Sequence, residues 1–235
     1  NEDGTDAFLM ADQVVDIAQY YSDSGAEITW EKSDIRQWLE NVFAQRAFTE
    51  DEKEKILDSA VETADNRWSG EPGGNDTTDK IYLPSIEEML NTSYGFSSDE
   101  KEGNTRKITP TDYAKAEKEL DWISSNAGVY WLRSSGSKKG CPSIAGNWGE
   151  GVIPMETANK STEKLGVRPV MHVDLSDTTL WTYAGQVTPR GVVISKTEKP
   201  DVTVKPPTQT EKPPIQTQQP SKPQVNKLGK PAIKS

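Results

Sequence analysis

The feature that most limits what this chain can fold into is its tail, residues 196–235. The tail holds eight of the chain's 15 prolines and no aromatic residue. Its run KPPTQTEKPPIQTQQPSKP favours extended polyproline II conformations and offers too little apolar surface to form a core. We therefore predict a folded domain over 1–197, followed by a semi-rigid Pro/Lys/Thr/Gln-rich spacer over 198–226.

Charge divides the chain at the same place. The tail carries eight lysines against three acidic residues, so its net charge is +5. Because the whole chain has a formal net charge of −10, the remainder carries −15. A body this acidic repels phosphate backbones, so we expect no nucleic-acid partner. No stretch approaches the roughly 20 consecutive apolar residues that a membrane-spanning helix needs.

The residues that most enzymes use are scarce. Cys141 is the only cysteine and His172 the only histidine. A Cys-based zinc site and an intrachain disulfide are therefore excluded, and no G-x-S-x-G motif supplies a nucleophile. The acidic segment NDTTD, residues 75–79, contains oxygen ligands suited to Ca²⁺ but lacks the EF-hand pattern. We expect no enzyme activity, no cofactor and no metal, and a carboxylate-dependent hydrolase remains the less favoured alternative.

Local patterns predict short helices in the first half and strands in the second. Apolar spacing predicts a helix over 34–45 with Ser33 as its N-cap. Capping-box spacing is found at Thr49–Glu52 and Ser85–Glu88, and Thr109-Pro110 is typical of a helix start. Strands are predicted near 80–83, 129–133, 142–147, 151–155, 166–175 and 186–195. This pattern indicates an α+β domain with a small, mostly antiparallel sheet.

The chain has seven tryptophans, a high number for its length. We expect Trp38 and Trp131 in the core. Trp68 and Trp148 stand in glycine-rich loop sequence, the latter beside Asn147 and Glu150. Loop aromatic side chains with amide and carboxylate neighbours suit the binding of a sugar or a protein. The alternative is that these loops fold back so that the indoles cover the core.

Five ordered segments carry a resemblance to a known family. The segments are TWEKSDIRQWLENVF, TTDKIYLPS, TDYAKA, YWLRSSG and GVRPVMHVDL. Together they closely resemble an uncharacterised domain family, of unknown function, found in secreted multi-domain proteins of Gram-positive gut bacteria. The resemblance covers about residues 8–176, and it implies a secreted or cell-surface setting.

More distantly, the order of these segments is similar to that of the C-type-lectin-like fold of formylglycine-generating enzymes. This resemblance implies that Trp131–Arg133 and Gly166–Arg168 form central strands. It does not imply the enzyme's chemistry, which relies on active-site cysteines where this chain has only Cys141. The last residues, 227–235, resemble the first strand of an immunoglobulin- or fibronectin-like module, so we expect further domains after them.

These observations favour a non-catalytic extracellular binding module that recognises a glycan or a protein. The residues expected to bind are Trp68, Asn147, Trp148 and Glu150. Two alternatives remain: a purely structural module that assembles surface proteins, and the hydrolase named above.

Arg133 and Arg168 follow apolar residues in two predicted strands. Each has five N–H donors that can join loop carbonyls and carboxylates around a small sheet. We therefore interpret both arginines, with Trp38 and Trp131, as a structural signature rather than as a site.

Overall fold

The computed structural model describes residues 5–23, 28–116, 128–146, 151–154, 161–177, 186–187 and 193–195. The chain separates into two units, Asn1–Lys196 and Thr197–Ser235, and every described residue belongs to the first. The predicted spacer and the predicted start of a further module lie outside the described residues, so the domain boundaries stay predictions. Among the described helices, none is long and apolar enough to cross a membrane.

The helical segments are short. The α-helices are α1 (Asp34–Trp38), α2 (Ala44–Ala47), α3 (Glu50–Lys55), α4 (Ile86–Met89) and α5 (Asp112–Ala116). Single 3₁₀ turns occur at Trp30–Lys32, Thr92–Tyr94 and Asn104–Arg106, and a π-helical turn, Leu39–Phe43, joins α1 to α2. The predicted helix over 34–45 is therefore one continuous helical stretch in three parts. Its N-cap is Ser33, whose Oγ accepts a hydrogen bond from the Arg36 N–H.

The two predicted capping boxes are present. At the start of α3, Thr49 and Glu52 bond reciprocally through side chain and backbone, and Ser85 and Glu88 do the same for α4. The prediction for Pro110 was wrong. Thr111 accepts a hydrogen bond from the Ala114 N–H at the start of α5, whereas Pro110 forms a β-bridge with Val14.

The strands form two main sheets and two small pairs. In chain order they are β1 (Asp6–Met10), β2 (Asp16–Gln19), β3 (Ser59–Val61), β4 (Thr77–Asp79), β5 (Ile81–Tyr82), β6 (Tyr130–Ser135), β7 (Pro142–Ala145), β8 (Lys164–Val167), β9 (Val170–Asp174), β10 (Gln186–Val187) and β11 (Val193–Ser195). The first sheet has the order β1-β9-β5 and the second β2-β8-β6-β7. All pairs are antiparallel except β6 with β8; β3 pairs with β4 and β10 with β11.

The α+β class is confirmed, but the expected separation of helices from strands is wrong. Strands β1 and β2, near the start of the chain, pair with β9 and β8, which come more than a hundred residues later. Each main sheet therefore joins the two ends of the domain. No strand forms at the described residues 151–154 of the predicted strand 151–155.

The predicted strand over 166–175 is divided in two. It breaks at Arg168-Pro169, so that β8 belongs to one sheet and β9 to the other. Pro169 has no N–H to give to a ladder. Arg168 instead turns inward: its Nε donates to the Ala11 carbonyl at 2.8 Å and its Nη1 to the Tyr130 hydroxyl at 3.2 Å.

Two clusters of buried apolar side chains fill the domain. The larger contains Trp30, Leu83 and Trp131, and the smaller contains Ile86 and Tyr130. Strands β6 and β8 approach each other closely at Gly166. There the Gly166 N–H donates to the Val129 carbonyl at 2.9 Å. A Cβ on Gly166 would lie 2.7 Å from that oxygen, so only glycine fits there.

Candidate functional site

A cleft of about 240 Å³ opens between β3 with its following loop, the first turn of α4, and β6. Small side chains leave it open, since Ala60 and Ala64 are both part of its lining. The remaining lining residues are Glu62, Asp65, Arg67, Ser85, Ile86, Glu87, Glu88, Arg133 and Ser134. The lining thus contains four carboxylates and two guanidinium groups.

The Arg133 guanidinium forms the floor of the cleft. Arg133 is only 5% exposed. Its Nη1 and Nη2 donate to the two carboxylate oxygens of Glu88, at 2.5 and 3.1 Å. Further hydrogen bonds join it to the carbonyls of Glu62, at 3.2 Å, and Leu83, at 3.0 Å. Arg133 therefore connects β6 to the end of β3, the β5–α4 loop and α4.

The start of α4 holds Glu88 in position for this contact. The Ser85 N–H donates to Glu88 Oε2 at 2.8 Å, and the Glu88 N–H donates back to Ser85 Oγ at 3.0 Å. The Ile86 N–H donates to Ser134 Oγ at 2.9 Å, which ties the same turn to β6. Glu88 is thus both the capping residue of α4 and the counter-ion of Arg133.

The rim of the cleft carries a second, exposed ion pair. Arg67 Nη1 lies 2.9 Å from a carboxylate oxygen of Glu87, and the two side chains are 44% and 52% exposed. The Arg67 guanidinium also stands 5.8 Å from the centre of the Trp68 ring, a cation–π geometry. The rim therefore combines an aromatic ring with charged groups that solvent reaches.

A buried asparagine holds the rim loop against β6. Asn66, which is 3% exposed, donates from Nδ2 to the Ser135 carbonyl at 2.8 Å. Its Oδ1 accepts the N–H groups of Trp68 and Ser69, each at 2.9 Å. Ser135 Oγ in turn donates to the Pro72 carbonyl at 2.7 Å. The cleft is consequently a preformed feature whose walls are bonded to one another.

Of the predicted binding residues, the structure describes only Trp68. Trp68 is partly buried beside the smaller apolar cluster, with Arg67 over its ring. Asn147, Trp148 and Glu150 lie outside the described residues, so their role stays a prediction.

The signature residues occupy several environments. Trp131 is fully buried and donates from Nε1 to the Ala18 carbonyl at 2.9 Å, whereas Trp38 is partly buried against the Phe43 ring. Arg133 and Arg168 are 5% and 6% exposed. Arg133 alone of these four residues also lines the cleft.

Sequence reasoning did not identify Glu87, Glu88 and Arg67 as parts of one site. The Ser85–Glu88 spacing was a detectable signal, but it predicted only a cap and not a partner for Arg133. Arg106, a fully buried arginine, was also missed, because GNTRKI has no periodicity that marks a buried position.

Burial changes the acidity of groups near the cleft and elsewhere. Burial raises the pKa of Tyr82 to about 12, and the negative charge of Glu88 acts in the same direction. The opposing effect comes from Arg133, which stands 5.4 Å from the centre of the Tyr82 ring. Burial also raises the pKa of the Cys141 thiol, which keeps it protonated and poorly nucleophilic at neutral pH.

In the described part of the chain, no group of three or more His, Cys, Asp or Glu residues could hold a metal ion. The NDTTD carboxylates have protein partners instead. Asp79 accepts from Trp30 Nε1 at 2.9 Å and from Arg36 Nε at 2.6 Å, and Asp76 accepts from the Thr63 N–H at 2.8 Å. These hydrogen bonds give the segment a structural role in joining β4 to the first helical turns.

Comparison with protein families matches residues 4–175 to the domain of unknown function DUF6273. The chain belongs to this family. The match contains all five ordered segments, so the prediction of an uncharacterised domain family is confirmed. No curated protein and no solved structure matches the chain. In this DUF6273 domain, the cleft and its two ion pairs lie wholly inside the matched residues.

Proposed function

We propose that this chain is a non-catalytic extracellular binding module of a larger secreted or cell-surface bacterial protein, and that it binds a glycan or protein ligand at the cleft beside Trp68. The observation that carries the proposal is the preformed cleft itself. It has a volume of about 240 Å³, a charged rim and small apolar wall residues. Ligand sites combine apolar surface with a few fixed polar groups in this manner.

The chemistry of the rim suits a ligand with hydroxyl or amide groups. Arg67 uses one nitrogen for Glu87 and is 44% exposed, so its remaining donors face solvent. Trp68 offers an aromatic surface of the type on which sugar rings and peptide side chains pack. Because Asn66 fixes this loop through buried hydrogen bonds, little ordering entropy is lost when a ligand binds.

The hydrogen bonds of Glu88 support a structural role for this cleft acid over a catalytic one. A general acid or base must be able to exchange a proton with the substrate. Both Glu88 oxygens accept hydrogen bonds from Arg133, and one accepts a further bond from the Ser85 N–H. Glu88 is therefore occupied as a structural hydrogen-bond acceptor.

We further propose a C-type-lectin-like fold of the formylglycine-generating-enzyme type and a secreted Gram-positive setting. The order of the five segments supports both. The neighbouring positions of β6 and β8, which carry the two signature segments, support the fold. The Pro-rich tail supports presentation of the domain on a spacer.

The proposal is tested by screening the folded chain on a glycan and polypeptide array and then filling the cleft. Ala64 lines the cleft and is exposed, so Ala64→Phe blocks the space without removing a charge. Ala47→Phe is the matched control, since Ala47 is exposed and is not part of the lining. We expect Ala64→Phe and Trp68→Ala to weaken binding of the array ligand by about tenfold or more, and Ala47→Phe to leave it unchanged.

Two results would contradict the proposal. One is the absence of any array ligand at high micromolar concentration with folded protein. The other is a ligand whose affinity is the same for Ala64→Phe, Trp68→Ala and the unmodified chain. For the predicted Trp148 site, Trp148→Ala is expected to leave folding intact and weaken binding; a large drop in Tm would instead place Trp148 in the core.

A further inference from the structure

Strand β1 presents one side of its backbone away from its sheet. The Ala11 N–H donates to the Pro169 carbonyl at 3.0 Å, which fixes the phase of the β1–β9 ladder. In antiparallel pairs, successive residues point their N–H and C=O groups alternately toward and away from the partner strand. The backbone groups of Phe8 and Met10 therefore point away from β9.

Within the described part of the chain, these outward groups form an open edge. Among the described residues, β1 pairs with β9 alone, and none bonds to the outward N–H or C=O groups of Phe8 and Met10. Natural edge strands are commonly protected by a proline, a lysine or a bulge. Strand β1 contains none of these, and its five residues keep an unbroken register with β9.

Apolar side chains flank this edge on both faces of the sheet. Leu9 is 43% exposed on one face. On the other face, Phe8 packs against Tyr94 with ring centroids 5.0 Å apart, and Tyr94 is 47% exposed. Two of the three exposed large hydrophobic residues in the described chain thus lie at β1, the third being Tyr113. A strand added here would place alternate side chains against both apolar surfaces.

The described residues 5–13, which include β1, carry only acidic charges, at Asp6 and Asp12. The basic side chains nearby are Arg168, which donates to the Ala11 carbonyl, and His172, whose Nδ1 lies 3.4 Å from Asp6. Asp174 lies opposite Asp6 in the ladder, which adds a further carboxylate at one end of the edge. A second copy of this chain would bring a body of charge −15 against another, so self-pairing is disfavoured. A basic strand is favoured for the same reason.

We propose that the β1 edge binds an extended polypeptide segment that carries alternating apolar residues flanked by Lys or Arg, as a fourth strand beside β1-β9-β5. The main-chain bonds would come from Phe8 and Met10, apolar contacts from Leu9 and Tyr94, and charge pairing from the acids around β1. This surface is separate from the cleft, and the inference does not depend on the function proposed for the cleft.

The test uses the full chain, isotope-labelled, with the blocked peptide acetyl-KVTVTVK-amide as the probe. We expect chemical-shift changes centred on the Phe8 and Met10 amides and slowing of their hydrogen exchange by about tenfold at saturation. The acidic analogue acetyl-EVTVTVE-amide should bind at least about tenfold more weakly. A probe N-methylated at every valine and threonine has no N–H from these residues on either edge, so it cannot complete the ladder and should not bind.

A pair of variants at one position separates backbone from side chain. Phe8→Pro removes an N–H that the β1–β9 ladder does not use, and proline is tolerated on edge strands. Phe8→Ala removes the same ring and keeps the N–H. We expect Phe8→Ala to keep most of the binding and Phe8→Pro to lose it, with Tm compared for both.

The proposal is overturned by any of three results. The first is that the lysine peptide leaves both amides unperturbed at millimolar concentration. The second is that the N-methylated probe binds as well as the parent peptide, which is measured on the unmodified chain and so does not depend on the folding of a variant. The third is that sedimentation reveals a dimer that Phe8→Pro abolishes, which would assign the edge to a second copy.

Discussion

Two buried arginines of this domain are stabilised in different ways. Arg133 is paired with a carboxylate, Glu88, at 2.5 Å. Arg106 is fully buried, and it forms no ion pair with any described residue. Its guanidinium is surrounded by backbone carbonyls, those of Met89, Ser97, Asp99, Glu102 and Gly151.

The loops around Arg106 are shaped to admit this side chain. A Cβ on Gly103 would lie 2.4 Å from the Arg106 guanidinium carbon, so only glycine allows the backbone to pass so close. The Arg106 carbonyl also accepts a hydrogen bond from the Tyr130 hydroxyl at 3.3 Å. Arg106 thus organises loop segments around one cation, and β6 contacts the same residue.

The comparison separates two ways to keep a charge inside a protein. The Arg133–Glu88 ion pair consists of two side chains. Either one can be substituted, and the loss in the free energy of unfolding can be measured for each substitution. The carbonyls around Arg106 belong to the backbone and cannot be removed by substitution. The stability that these hydrogen bonds provide therefore depends on the side chain of Arg106 alone. Buried carbonyls left without donors are costly, which makes Arg106 the more critical of the two arginines.

The largest effect is expected for Arg106→Ala. The change leaves the five carbonyl acceptors unpaired and opens a void, so we expect it to lower the free energy of unfolding by about 4 kcal/mol or more. Arg106→Lys supplies three donors in place of five and should recover only part of the loss. Urea denaturation followed by tryptophan fluorescence measures both. Equal stability of Arg106→Ala and the unmodified chain would show that water replaces the guanidinium at no cost.

A smaller loss is expected for Arg133→Ala. The substitution leaves Glu88 without its counter-ion and the Glu62 and Leu83 carbonyls without donors, so we expect about 3 kcal/mol of destabilisation. Glu88→Gln should cost a comparable amount, and the double variant should cost less than the sum of the two. If Arg133→Ala keeps its Tm but abolishes ligand binding, Arg133 is a binding residue and not a structural one.

Alkaline pH should weaken the domain through tyrosines that contact these arginines. Burial raises the pKa of Tyr82 to about 12 and also raises the pKa values of Tyr20 and Tyr130. In the unfolded chain tyrosine ionises near pH 10, so the stabilisation is complete below about pH 10. It is lost as the pH rises from 10 through the folded pKa, by at most about 1.4 kcal/mol per pH unit for each tyrosine.

The measurement is the urea midpoint between pH 8 and pH 11.5, for the unmodified chain and Tyr82→Phe. Stability of the variant should fall less steeply above pH 10, because one ionising group has been removed. Identical slopes for the two proteins would mean that Tyr82 ionises as freely in the folded state as in the unfolded chain.

The smallest effect is expected at the exposed pair on the rim of the cleft. Arg67 and Glu87 are about half exposed, and ion pairs of this type contribute roughly 0.5 kcal/mol. Arg67→Gln should therefore leave the urea midpoint almost unchanged, in contrast to Arg133→Ala. A loss as large as that of Arg133→Ala would show that the rim pair braces the fold, and would remove it as a binding candidate.

Local sequence signals predicted the helix starts well where side chain and backbone interact over three residues. Ser33, Thr49 and Ser85 all act as caps, because a capping hydrogen bond is decided within one turn. The same reasoning failed at Pro110. There a bridge from Pro110 to the distant Val14, together with Thr111 as the acceptor for the Ala114 N–H, moved the helix start by two residues.

Strand pairing was less predictable than strand position. The apolar and β-branched content of the segments around 129–133 and 166–175 predicted strands there. It did not predict the break at Arg168-Pro169. That break depends on the Ala11 carbonyl and the Tyr130 hydroxyl, which meet Arg168 only after the two sheets have formed. Pairing of β1 with β9 is equally non-local, since its partners are separated by most of the domain.

The sequence by itself determined the α+β class, the caps of three helices, the family membership and the acidic character of the body, because composition and short-range hydrogen bonding decide these properties. The tertiary structure alone decided which charges meet. It paired Arg133 with Glu88, surrounded Arg106 with carbonyls from distant loops, and left the outer edge of β1 without a described partner. Such contacts depend on burial and on residues far apart in the chain. A local sequence pattern predicts neither of these.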